Sequence, residues 1–72
     1  MSKPIITVII PAFNEEKSIG KVVHDIPRDI VDHVIVVNNN STDRTPEVAK
    51  SEGAIVLDET RNRNLFKIEK NA

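Results

Sequence analysis

Seventy-two residues make one domain at most, and a domain this small buries only about 60% of the surface its unfolded chain exposes. No Cys is present and the two His, His24 and His33, stand apart without a metal-like cluster, so neither a disulfide nor a bound metal is available to make up the shortfall. A net charge of −1 and apolar runs no longer than Val34 to Val37 exclude a strongly basic nucleic-acid binder and a membrane-spanning helix, which needs about 20 apolar residues.

The opening Met-Ser-Lys-Pro lacks the charged start, apolar run and small-residue cleavage site of a secretory signal, and the lack of Cys suits a reducing compartment; a cytoplasmic location is expected. Ile5 to Ile10 is a nearly unbroken β-branched run stopped by Pro11, which predicts a strand covered on both faces in a parallel sheet. Ile19, Val22, Val23 and Ile26 follow at the i, i+3, i+4, i+7 spacing of one helix face, with Asn14 or Ser18 as the N-cap and Pro27 as the stop. Val31 to Val37 is a second strand, ended sharply by Asn38-Asn39-Asn40-Ser41-Thr42-Asp43.

Thr45 as a cap, Pro46 in the first turn, an acid at Glu47 and Gly53 at the exit predict a second helix over Pro46 to Glu52. Ala54 to Leu57 is a short third strand. This β-α-β-α-β alternation over residues 1–59, joined by right-handed crossovers, gives a Rossmann-like α/β unit with a parallel sheet. Residues 60–72 differ in kind: they carry four basic side chains and one acidic, against six and ten before them, and Leu65, Phe66 and Ile68 fit neither strand nor helix periodicity.

In open parallel sheets ligands bind outside the carboxyl ends of the strands, which selects Pro11 to Glu16 and Asn38 to Arg44. Gly20 and Gly53 are the only glycines and neither follows a strand, so glycine-loop dinucleotide and P-loop motifs are excluded. A polar pocket remains, in which Phe13 offers a face to a base while Glu15 and Asn39 hydrogen-bond base or ribose. The bland alternatives are a strand-to-helix turn at 38–43 with Asp43 as a structural loop or capping residue, Phe13 as a core plug, Glu16 and Lys17 as solvated charges, and surface or packing roles for both histidines.

Val8-Ile9-Ile10-Pro11-Ala12-Phe13-Asn14-Glu15-Glu16, followed by Val34-Ile35-Val36-Val37-Asn38-Asn39-Asn40-Ser41-Thr42-Asp43-Arg44-Thr45, resembles the opening of a family 2 glycosyltransferase of the GT-A fold, of the dolichyl-phosphate-mannose-synthase-like branch. The resemblance implies a nucleotide-binding role for Pro11, Ala12, Phe13, Asn14, Glu15, Asn38, Asn39 and Ser41, and a UDP- or GDP-linked sugar as partner. An acidic pair is usual in the family where this chain has Asn38-Asn39; the amides keep a carbonyl acceptor, add an NH₂ donor and drop the charge, which leaves both nucleotides open.

The resemblance also implies a divalent cation, Mg or Mn, held in the full-length family by a later Asp-x-Asp segment, and a later acidic base. Neither has a counterpart here, so no catalytic or metal residue is assigned, and Asp58-Glu59 is read as two solvated acids. The expected function is the nucleotide-sugar-binding portion of a transferase moving a sugar to a lipid phosphate or other acceptor, inactive alone. A stand-alone nucleotide-binding module, an assembly subunit pairing through an open sheet edge, and a non-functional product are the alternatives. The loss of pattern from Asn64 leads us to expect a frameshifted or truncated reading frame in 60–72.

Overall fold

The structure, a computed structural model, describes residues 3–59. Five elements follow in order: β1 (Thr7–Ala12), α1 (Ile19–His24), β2 (His33–Asn38), α2 (Thr45–Ser51) and β3 (Ile55–Asp58). The strands form one parallel sheet in the order β1-β2-β3, with Ile9 opposite Ile35 and Ile35 opposite Ile55. The expected α/β alternation is therefore present, whereas the boundary at residue 60 and the tail beyond it lie outside the described residues.

Each boundary that moved has a local cause. β1 begins two residues late because Ile6 is engaged before the ladder starts: its N–H donates to Asp32 Oδ2 and its carbonyl accepts from Asp32 and His33. It also continues through Pro11 instead of stopping there. β1 is an edge strand among the described residues, and an edge is where a proline's missing donor is tolerated. β2 starts at His33, since the Val31 N–H is used in a turn onto the Pro27 carbonyl.

α1 starts after Ser18, not Asn14, and ends at His24, so Ile26 lies beyond it. Thr45, expected as a cap, is the first residue inside α2. Gly53 fits its predicted exit role, with φ of 93° in the left-handed region where a side chain is strained.

The core sits between the sheet and both helices. Val34 and Val36 of β2 and Ala12 of β1 are buried against Ile19 and Val23 of α1 and Ala49 of α2, with Val8, Ile10 and Val56 packed around them. Right-handed crossovers between strands laid down in spatial order put both helices on the same side. Strand alternation then turns the apolar rungs Ile9, Ile35, Ile55 and Pro11, Val37, Leu57 to the other side, where Ile9 is 63% and Leu57 52% exposed. The expectation of a sheet covered on both faces is corrected: among the described residues one face is bare.

Candidate functional site

Ala12 and Asn38 are register partners at the carboxyl ends of β1 and β2, so the two strand-to-helix loops leave the sheet side by side. A run of hydrogen bonds joins them. The Asn14 N–H donates to Ser41 Oγ at 2.9 Å, and Asn14 Oδ1 accepts from the Thr42 N–H at 2.8 Å. Further along, the Glu15 N–H donates to Thr45 Oγ1 at 2.7 Å, the Glu16 N–H to Asp43 Oδ2 at 3.2 Å, and Glu16 Oε1 accepts from the Arg44 N–H at 3.1 Å. Asn14 (φ 52°) and Asn40 (φ 61°) both take the left-handed conformation that Asn tolerates better than most residues.

Asp43 anchors this seam. Its Oδ1 accepts from the Thr45 N–H and hydroxyl. Partial burial pushes its carboxyl up, but the bonds from Thr45, Glu16 and its own N–H favour the charged form and prevail, holding it below the usual aspartate value. Asp43 thus has the structural loop role anticipated for it, standing one position before Arg44, the N-cap of α2, and bonding to Thr45.

Asn38 is 7% exposed and spends its amide inside the protein. Nδ2 donates to Asp58 Oδ1 at 3.0 Å and Oδ1 accepts from the Ser41 N–H at 3.2 Å. Asn39 Oδ1 is buried without a hydrogen-bond partner among the described residues, an arrangement uncommon enough in folded proteins to require a cause. A cleft of about 410 Å³ opens over α2 and β3, lined by Asn38, Asn40, Ser41, Lys50, Asp58 and Glu59 among others; a smaller one of about 200 Å³ is bounded by Asn14, Glu15 and Ser18 near the start of α1.

The predicted site residues are thus gathered at one end of the sheet but do not share one surface. Asn38 and Ser41 reach the larger cleft and Asn14 and Glu15 the smaller, while Pro11, Ala12, Phe13 and Asn39 line neither. Ala12 is buried in the core, and its carbonyl accepts from the Asn39 N–H; Pro11 belongs to the bare face, and Phe13 is partly exposed.

Three residues have larger parts than the sequence suggested. Glu16, expected to be solvated, is half-buried and bridges the loops; Asp58 is exposed as expected but also holds Asn38; Thr45 is fully buried between Glu15 and Asp43. The polar composition of 38–45 is the only sequence signal for Thr45. His33 is exposed at the start of β2, and His24 Nδ1 lies 3.4 Å from Glu52 Oε1, which fits the surface and packing roles expected of them.

No group of three or more His, Asp or Glu among the described residues could hold a metal ion. Asp58 is engaged by the Asn38 amide and Asp43 by α2, and Glu59 is not joined by enough further carboxylates to make a ligand set, so the described residues do not fit a cation site. No helix among them is long and apolar enough to cross a membrane.

An open parallel sheet with a polar, cross-bonded loop pair at its strand ends defines an α/β unit of the Rossmann-like type, a fold whose ligands bind outside the carboxyl ends of the strands. The chain belongs to glycosyl transferase family 2, whose family model matches residues 7–67. It is 42% identical over 65 residues to an uncharacterized protein of Methanocaldococcus jannaschii, covering 90% of this chain and 27% of that protein. It is 54% identical over 54 residues to the 4,4'-diaponeurosporenoate glycosyltransferase of Staphylococcus aureus, covering 74% of this chain and 14% of the relative.

Among solved structures, glucosyl-3-phosphoglycerate synthase from Mycobacterium tuberculosis, in complex with Mg²⁺ and uridine diphosphate, superposes with a TM-score of 0.70 at 38% identity, over 75% of this chain and 20% of that one. The same enzyme with Mn²⁺, UDP-glucose and glycerol 3-phosphate gives 0.70 at 38%. The three-stranded unit thus matches the start of a GT-A fold, and the chain spans about a quarter or less of these proteins.

Proposed function

We propose that the strand-end loops form the nucleotide side of a nucleotide-sugar site, with Pro11 to Glu15 facing Asn38 to Ser41. The observation that carries this reading is the seam itself: bonds spanning 27 to 30 residues hold two loops in fixed register at the ends of adjacent parallel strands. A preorganised polar wall of this kind suits recognition of a nucleoside by its edges. The unpartnered Asn39 Oδ1 supports it further, since an amide carbonyl matches the ring N–H of uracil or guanine once the side chain turns outward. The UDP complexes of the mycobacterial relative favour a uridine nucleotide.

The reaction proposed for the longer family proteins is transfer of a sugar from a nucleotide diphosphate to an acceptor such as a lipid phosphate. Such transfer needs positive charge on the departing diphosphate and a base on the acceptor. The described residues gather neither, so the 72-residue chain alone is inactive in this reading, and its location is cytoplasmic. Calorimetric titration of the chain with UDP and GDP tests the binding: heat is expected with UDP in the millimolar range or below, and silence with both nucleotides removes the proposal. Sugar transfer by the chain alone would overturn the inactivity.

A second reading, an assembly module, is favoured by one observation, the bare apolar face beside the open β1 edge. Concentration-dependent mass in light scattering without nucleotide binding would select it.

A further inference from the structure

We propose that Asp58 is a positioning residue for the strand-end loops, acting through Asn38. Its bearing on ligand binding rests on the nucleotide reading above; its bearing on loop geometry does not. Asn38 stands at the last rung of the sheet, opposite Ala12 on one side and Asp58 on the other. Its carbonyl accepts from the Glu59 N–H at 2.8 Å, which ties its backbone to β3 as well.

The side-chain bonds admit only one amide orientation. An ionised carboxylate accepts and never donates, so Nδ2 must face Asp58; a backbone N–H donates and never accepts, so Oδ1 must face Ser41. With the amide turned this way, the Ser41 N–H is held, and Ser41 Oγ in turn receives the Asn14 N–H. A relay therefore runs from Asp58 on β3, through Asn38 on β2, to the loop after β1. It crosses the turn in which Asn40 takes its left-handed conformation, so the relay and the strained residue fix the same four residues.

Position 58 also dictates what position 38 tolerates. An aspartate at 38 would bring a second carboxylate against Asp58 where a 3.0 Å bond now stands, and the two acceptors repel instead of bonding unless one of them takes up a proton. The pair works as amide with acid in either order, and not as acid with acid. In the reversed order, an amide at 58 donates to one oxygen of an acid at 38, whose other oxygen still receives the Ser41 N–H.

Amide hydrogen exchange at Ser41, followed by NMR on the 72-residue chain, is the direct test. Asp58→Ala is expected to speed Ser41 exchange by about five- to tenfold, the worth of one hydrogen bond, relative to amides in β2. Asp58→Asn keeps an acceptor for Nδ2 and is expected to stay near the native rate. Asn38→Asp is expected to accelerate exchange, and the double variant Asn38→Asp with Asp58→Asn to restore it. Unchanged Ser41 exchange in Asp58→Ala, or a double variant no slower than Asn38→Asp alone, overturns the proposal.

If Asp58→Ala does not fold, the comparison of Asn38→Asp with the double variant decides. Titration of the same proteins with UDP and GDP separates the two claims. Weakening in Asp58→Ala and recovery in the double variant extend the relay to the ligand, whereas a native chain that binds neither UDP nor GDP sinks the nucleotide reading and leaves the exchange result to judge Asp58.

Discussion

Thr45 is a polar residue with no solvent exposure, and its hydroxyl sits where three segments meet. It accepts from the Glu15 N–H and donates to Asp43, so Thr45→Val keeps the shape but leaves a donor and an acceptor unmatched. A loss of about 1–3 kcal/mol is expected in denaturant unfolding, with Thr45→Ser close to native. Asp43 adds a pH dependence with a definite sign. Its folded carboxyl binds a proton less readily than the unfolded one, so its contribution is complete above the ordinary aspartate value of about 3.9 and is lost as the pH falls through the lower folded value. Unfolding midpoints measured from pH 5 to pH 2 should fall along that limb, and less steeply in Thr45→Val, where one of the bonds that lowers the pKa is gone. At this scale the sequence was half legible. Asn, Ser, Thr and Asp in 38–45 marked a hydrogen-bonding loop, but nothing in local spacing says that the Thr45 hydroxyl, 30 residues away, meets the Glu15 N–H.

The two helices approach closely where α1 offers Gly20 to Val48 of α2. A Cβ built at Gly20 would lie 3.0 Å from Val48 Cγ1, tighter than ordinary contact, and valine has little rotamer freedom with which to yield. Gly20→Ala therefore sets a helix-propensity gain of about 1 kcal/mol against that crowding, while Gly20→Val has the crowding and little of the gain. Thermal melting should place Gly20→Val lowest of the three, by about 1–3 kcal/mol relative to glycine. Element identity was readable throughout because β-branched runs and a 3.6-residue repeat are strong signals. Element ends were not, because tertiary bonds set them. The Ile6 backbone bonds to Asp32 shorten β1 at its start, and the edge position of β1 lets it run through Pro11. Val22 keeps the helical spacing yet is 46% exposed, while Ile19 and Val23 of the same helix are buried.

At the scale of the whole molecule, the uneven covering of the sheet among the described residues is the dominant fact. Ile9, Ile55 and Leu57 each expose half or more of their surface on one uncharged stretch of sheet, a patch of the kind that drives association. An apolar fluorescent dye is expected to bind the folded chain, and Ile9→Lys with Leu57→Lys to abolish that signal and raise solubility while shifting stability by no more than about 0.5 kcal/mol each. Dye binding unchanged by both lysines would place the apolar surface elsewhere. The sequence could not show this bareness, because a β-branched run looks the same whether one face or two are covered; only the placement of both helices on one side revealed it.

The seam between the loops has a consequence for how the protein opens and closes. Each of its bonds joins the loop after β1 to the segment from the loop after β2 to the first residue of α2, so none of them survives when only one half is folded. The strand-end wall therefore exists only in the fully closed state, and amides 14–16 and 41–45 should exchange with hydrogen together, as one cooperative unit. A ligand that grips this wall holds the entire chain shut. At one hundred times its dissociation constant it adds about 2.7 kcal/mol to global stability, so the melting curve itself becomes a binding assay.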